Sequence, residues 1–140
     1  MITIKEIQDI ENILNNKVKD TILLSNSFGI NCIKTITENN KLFIVKYYRQ
    51  KSNKFNAIKS EGLNLNYFNN INLNFFPKVK ANNELYLIMS FIENNSIKPQ
   101  STNDDFVDAV VKIHSIQSKK FGFNFDTQIG GLRQPNKINN

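Results

Sequence analysis

The stretch Lys41–Tyr48, KLFIVKYY, limits the possible fold more than any other part of the chain. Leu42, Ile44 and the aliphatic stem of Lys46 alternate with Phe43, Val45 and Tyr47. β-branched and aromatic residues crowd the segment, so it reads as a strand buried on both faces. A lysine inside such a strand is costly unless its ammonium finds a carboxylate or a phosphate. Lys46 either snorkels from a sheet edge or pairs. Glu61, in a segment that reads as a helix, is the candidate partner.

A core of that kind needs enough chain to enclose it, and 140 residues suffice for one compact domain. Hydrophobic residues at 40% and charged residues at 21% exclude a disordered chain. No apolar run approaches the roughly 20 residues of a membrane span. The opening MITIKEIQDIENIL carries acids and no continuous apolar core, so a signal peptide is not expected. Cys32 is the single cysteine, which excludes an internal disulfide and a cysteine-built zinc site. The expected setting is soluble and cytoplasmic. A net charge of +6 would suit nucleic acid or an anionic ligand. However, the lysines are scattered, and only Lys46–Lys54, KYYRQKSNK, clusters. Abundant lysine, asparagine and isoleucine beside only Arg49 and Arg133 reads as A/T-rich codon usage, so nucleic acid is not expected as a partner.

Thr3 and Glu6 have capping-box spacing and open an amphipathic helix over residues 3–18, with Ile4, Ile7, Ile10 and Leu14 on one face. Thr21–Leu24 then reads as a strand, Ser25–Asn31 as a turn and Cys32–Thr37 as a second strand. A turn at Glu38–Asn40 leads into Lys41–Tyr48, giving an antiparallel meander. The Ser25–Asn31 turn, SNSFGIN, has Gly29 alone, with Ser25, Asn26 and Ser27 as side-chain donors and a bulky Phe28. It can be an ordinary hairpin turn or a weak phosphate loop. Ser52–Asn69 is expected to be a helix capped by Ser52, with Gly62 beside Glu61 weakening it. Pro77–Ala81, an Asn82-Asn83 turn and Glu84–Phe91 read as a hairpin whose long apolar second strand should be central. Ile92–Ser101 is polar and linker-like. Thr102 and Asp105 start a further helix bearing Phe106, Val107, Val110, Val111, Ile113 and His114. His114 has no second histidine or cysteine beside it and reads as a packed helix residue, not a metal ligand. Lys119–Asn140 lacks periodicity and reads as an ordered loop. Five strands with one intervening helix, then a polar connector, is the layout of a kinase nucleotide lobe followed by a hinge.

Phe121–Asn136, FGFNFDTQIGGLRQPN, resembles the segment that fructosamine (ketosamine) kinases carry after the first long helix of their second lobe. Ile113-His114, the KSEGL of Lys59–Leu63, the LIMSFI of Leu87–Ile92 and Gly29-Ile30-Asn31 are similar to other parts of that family. The resemblance covers about Thr21 to Asn136. It implies a protein-kinase-like α+β fold: a nucleotide lobe of a five-stranded antiparallel sheet with a helix over residues 1–92, a hinge over 93–101, and the first helix and loop of the second lobe over 102–140. It also implies ATP-dependent, Mg²⁺-assisted phosphorylation of the sugar of a glycated amine or protein. Lys46 would hold the α- and β-phosphates and Glu61 would orient it. Ser25, Asn26, Ser27 and Gly29 would lie at the phosphates. Ser90 and Ile92 would offer main-chain hydrogen bonds to adenine, with Met89 and Phe91 beside it. Phe28 departs from the glycine-rich pattern, and no role is carried over to Cys32.

The resemblance places the family's catalytic-loop and metal-holding aspartates beyond residue 140, and no His-Gly-Asp occurs in 1–140. The chain is therefore expected to carry no catalytic residue and to be inactive alone, as a truncated N-terminal portion. The alternatives are a non-catalytic nucleotide-binding or interaction module, with Phe106, Val110 and Ile113 facing a partner, and a small-molecule kinase of choline or aminoglycoside type.

Overall fold

Local chemistry fixes the first element. Thr3 N–H donates to Glu6 Oε2 at 2.6 Å and Glu6 N–H to Thr3 Oγ1 at 3.2 Å, so the capping box forms and starts helix α1, Ile4–Leu14. The helix stops at Asn15, which takes a left-handed backbone (φ 49°). It is shorter than expected because Val18 already begins a strand, and Glu11 receives both the Val18 amide (3.0 Å) and the Lys17 ammonium (2.7 Å). Ile10 and Leu14 are buried, whereas Ile4 in the first turn is exposed. This computed structural model describes residues 2–50, 56–94, 103–120, 122–129 and 132–136.

Strands β1 (Val18–Ser27), β2 (Ile30–Thr37) and β3 (Leu42–Tyr48) form an antiparallel meander. Helix α2 (Ala57–Asn70) follows, then β4 (Val79–Asn82) and β5 (Tyr86–Ser90). The sheet order is β1-β2-β3-β5-β4, so the apolar β5 is paired on both sides, as its composition implied. Alternation along β3 sorts its side chains between two layers. Val45 and Tyr47 join Ile10, Leu14, Ile33, Tyr86 and Ile88 under α1. Ile44 and Tyr48 face the opposite side, where Leu87 and Met89 pack against Ile58 and Leu65 of α2. Each large apolar side chain so buried stabilises the fold by about 1.5–3 kcal/mol.

Several boundaries differ from the sequence expectation. The turn is not Ser25–Asn31. β1 runs on to Ser27, which pairs with Ile30, and only Phe28 and Gly29 turn the chain. Both have positive φ, 53° and 77°, the backbone of a tight two-residue hairpin. A phenylalanine rarely occupies that region, and the small and polar residues of SNSFGIN read as a longer turn. α2 is capped by Asn56, whose side chain accepts the Lys59 amide at 3.0 Å; the expected cap Ser52 lies outside the described residues, as does the expected cap Thr102. Asn82 belongs to β4, and the turn begins at Asn83, whose Oδ1 accepts the Leu85 and Tyr86 amides at 2.8 Å.

Helix α3 spans Asn103–His114. Phe106, Val107 and Val111 are exposed on it, Val110 and Ile113 are half-buried, and His114 is exposed rather than packed. The segment read as a loop contains a small hairpin, β6 (Thr127–Ile129) with β7 (Leu132–Gln134). Among the described residues no helix is long and apolar enough to cross a membrane.

Candidate functional site

One transverse row of side chains crosses all five strands. Ser25 pairs with Cys32, Cys32 with Lys46, Lys46 with Leu87, and Leu87 with Asn82. Directly paired residues of antiparallel strands share a face, and this face is the one α2 covers. Helix and row meet at Lys46. Its ammonium donates to both carboxylate oxygens of Glu61, at 2.7 and 2.8 Å. The two side chains are 27% and 38% exposed, so the pair is wet enough to be screened and its net stabilisation is about 0–1 kcal/mol. Its value is geometric: a bidentate contact fixes where the ammonium stands.

The pair opens onto a cleft of about 430 Å³. Ser25, Ser27 and Phe28 of the β1–β2 hairpin form one wall, and Cys32 and Lys46 form the floor. Ala57, Ser60, Glu61 and Asn64 of α2, near helical spacing, form the opposite wall. Burial pushes the Cys32 thiol above its ordinary value; Lys46 opposes the shift and Glu61 adds to it. The cleft thus offers one ammonium, the three hydroxyls of Ser25, Ser27 and Ser60, and the Asn64 amide to an anion. Among the described residues Glu61 is the only carboxylate on its lining. Among the described residues no cluster of three acidic, histidine or cysteine side chains could hold a metal ion.

Of the residues singled out from sequence, Ser25, Ser27, Lys46 and Glu61 converge here. Asn26 alternates with Ser25 and Ser27 and pairs with Asn31, and Gly29 sits at the hairpin tip. Met89 is 6% exposed and packs in the core beneath α2, one row along from Lys46. Ser90 N–H is taken by the Lys78 carbonyl (2.9 Å) and Phe91 N–H by that of Leu42 (3.3 Å). Lys34 Nζ lies 4.2 Å from the centre of the Phe91 ring, and Ile92 is exposed. Sequence reasoning passed over Cys32, Ser60 and Asn64. The first follows from the strand register and the others from their spacing about Glu61.

The profile of the family described as fructosamine kinase matches residues 6–140. The chain belongs to the fructosamine kinase family. Among solved structures, a candidate fructosamine-3-kinase from Thermobifida fusca YX-ER1 superposes with a TM-score of 0.79 at 15% identity. One from Haemophilus somnus 129PT does so with a TM-score of 0.67 at 22% identity. Each alignment covers 95% of this chain and 46% of the other, so the chain spans about half the length of those proteins. No curated protein matches the sequence. The α+β fold, a five-stranded antiparallel sheet with helices, is the protein-kinase-like one.

The family-like segment is built around Asn136. Its Oδ1 accepts the Thr127 amide (3.1 Å), its Nδ2 donates to Thr127 Oγ1 (2.7 Å), and its carbonyl accepts the Phe123 amide (2.8 Å). Arg133 pairs with Asp126. The hairpin packs on α2, where Ser60 Oγ and the Asp126 carbonyl are 3.5 Å apart.

Proposed function

We propose that this chain binds ATP in the cleft between the β1–β2 hairpin, β3 and α2, as the nucleotide-holding part of a fructosamine kinase. The Lys46–Glu61 pair carries the reading. A carboxylate that grips a strand lysine bidentately leaves the ammonium one fixed position at the cleft floor, which suits the α- and β-phosphates. Ser25 and Ser27 supply hydroxyl donors beside them, and Asn26 and Gly29 belong to the same hairpin. Adenine is placed against Met89–Ile92. Because the Ser90 amide is already bonded, its carbonyl is the group assigned to adenine.

In this reading residues 1–92 form the nucleotide lobe, 93–101 the hinge and 102–140 the start of a second lobe. The acceptor is the sugar of a glycated amine or protein, and the setting is cytoplasmic. Magnesium accompanies ATP as part of the substrate, but the described residues offer it no cluster and no step is assigned to it. Among the described residues the only carboxylate on the cleft is held by Lys46, so none of them stands ready as a base for a sugar hydroxyl. Residues 1–140 alone are therefore proposed to hold nucleotide without transferring phosphate.

The test is titration of ¹⁵N-labelled chain with ATP, with and without magnesium, followed by NMR. Shifts should cluster at Ser25–Ile30, Lys46 and Glu61, and Lys46→Ala should abolish them. Incubation with a fructosyl-amine and γ-labelled ATP should transfer no label. Shifts elsewhere, or none at millimolar ATP, would overturn the binding site; label transfer would overturn the division of labour.

A further inference from the structure

Gly62 stands beside Glu61 in a helix, where glycine costs about 1 kcal/mol relative to alanine. Its backbone takes no left-handed conformation that would require glycine. What it allows is close approach. A Cβ at Gly62 would stand 2.7 Å from Asn82 Oδ1, and nearer still to Asn82 Cγ and Nδ2. Those atoms cannot easily retreat. Asn82 Nδ2 donates to the Lys59 carbonyl of α2 at 3.0 Å, and Asn82 Oδ1 is buried. Asn82 is also the β4 end of the row that holds Lys46. Helix α2 therefore meets one row of the sheet at two neighbouring residues: Gly62 rests on Asn82, and Glu61 grips Lys46.

We infer that Gly62 is a positioning residue: its bare α-carbon clears the Asn82 amide, lets α2 approach the sheet closely, and thereby holds Glu61 on Lys46. Neither Gly62 nor Asn82 touches the cleft. A methyl group at position 62 would lift the helix where the preceding residue, Glu61, must reach the lysine. A contact requiring two oxygens at 2.7 and 2.8 Å does not survive such a displacement. The consequence for nucleotide rests on the function proposed above; the consequence for the ion pair does not.

The experiment is a double-substitution cycle of Gly62→Ala and Asn82→Ala in the full chain, read by the ¹⁵Nζ signal of Lys46 and by ATP affinity. Gly62→Ala should shift the Lys46 signal and weaken ATP about tenfold, the scale of one charge-assisted hydrogen bond. The double variant, with the obstructing amide gone, should return the signal toward wild type. A general loss of helix stability would not be rescued by shortening a β4 side chain. An unchanged Lys46 signal in Gly62→Ala overturns the inference, as does a double variant no better than the single. If Gly62→Ala does not fold, a folded double variant with the native Lys46 signal supports it and an unfolded one refutes it. Absence of ATP binding in wild type, with the Lys46 signal behaving as described, would reject the nucleotide reading and leave the positioning role standing.

Discussion

Tyr86→Phe isolates one bond between α1 and the sheet. Tyr86 is 5% exposed, stacks on Tyr47 with ring centres 5.9 Å apart, and donates its hydroxyl to Asp9 Oδ2 at 3.0 Å. Phenylalanine keeps the ring and the stacking, so only the bond is lost. A hydrogen bond to a charged acceptor contributes about 1.5–3 kcal/mol. Asp9 is half-exposed and water can take the vacated place, which lowers the expected cost to about 1–2 kcal/mol. At this chain length that is a fall in Tm of about 3–6 °C. Burial, and then the bond to Asp9, raise the Tyr86 hydroxyl well above its ordinary value near 10. Its stabilisation is thus complete below about pH 10, where the unfolded phenol is still neutral. It is lost above that, at about 1.4 kcal/mol per pH unit, until the folded value is reached. Urea unfolding of both proteins from pH 7 to 11 should show wild type ahead at neutral pH and the two converging near pH 11. Tyr47, also raised by burial, keeps some alkaline slope in the variant. Equal stability at pH 7, or parallel curves through the alkaline range, would show that the Tyr86–Asp9 bond contributes nothing.

Phe28 and Gly29 bear on the hairpin. Phe28→Gly should stabilise the chain by about 0.5–1 kcal/mol, since Phe28 is 76% exposed at positive φ, and Gly29→Ala should destabilise it by a similar amount although nothing lies within 4 Å; both are read by chemical denaturation. Asn136→Ala removes both side-chain bonds to buried Thr127, and amide exchange across 122–136 should quicken tenfold or more while α1 and the large sheet hold their protection. Cys32 should react with iodoacetamide more slowly at pH 7 than an unstructured cysteine; Glu61→Gln, which removes a charge that raises the thiol, should speed it, and mass spectrometry of the alkylated peptide gives the rates.

What was legible in the sequence was what local chemistry enforces. The alternation of Leu42–Tyr48 gave a strand buried on two faces, and Thr3 with Glu6 gave a helix start, because each depends on side chains a few residues apart. The Lys46–Glu61 pairing is legible because a lysine in such a strand has few places to put its charge. The misses share a different cause. Phe28 turns the chain against its own preference because Gly29 and the paired strands impose the conformation. Asn82 looks like turn chemistry yet lies in β4, where its amide meets a carbonyl of α2 distant in sequence. Gly62 reads as a flaw in a helix until β4 is placed against it. Thr127–Gln134 forms strands of three residues, too short to show alternation, and Asn136 secures them from outside.

The order β1-β2-β3-β5-β4 also separates in time what it joins in space. Cys32, on one side of Lys46, comes from a meander closed by short local turns, where loop closure costs little entropy. Leu87, on the other side, arrives only after α2 has been made and the chain has returned to slot β5 beside β3. The buried face of α2 packs on Leu87 and Met89 of that same strand, with Ile44 and Tyr48 of β3 beside them, so the meander alone gives the helix only part of its seat. Glu61 is accordingly expected to be fixed on Lys46 only once β5 completes that seat. The ion pair is therefore expected to report on the non-consecutive pairing of β3 with β5, a contact that costs more loop-closure entropy than the meander's turns.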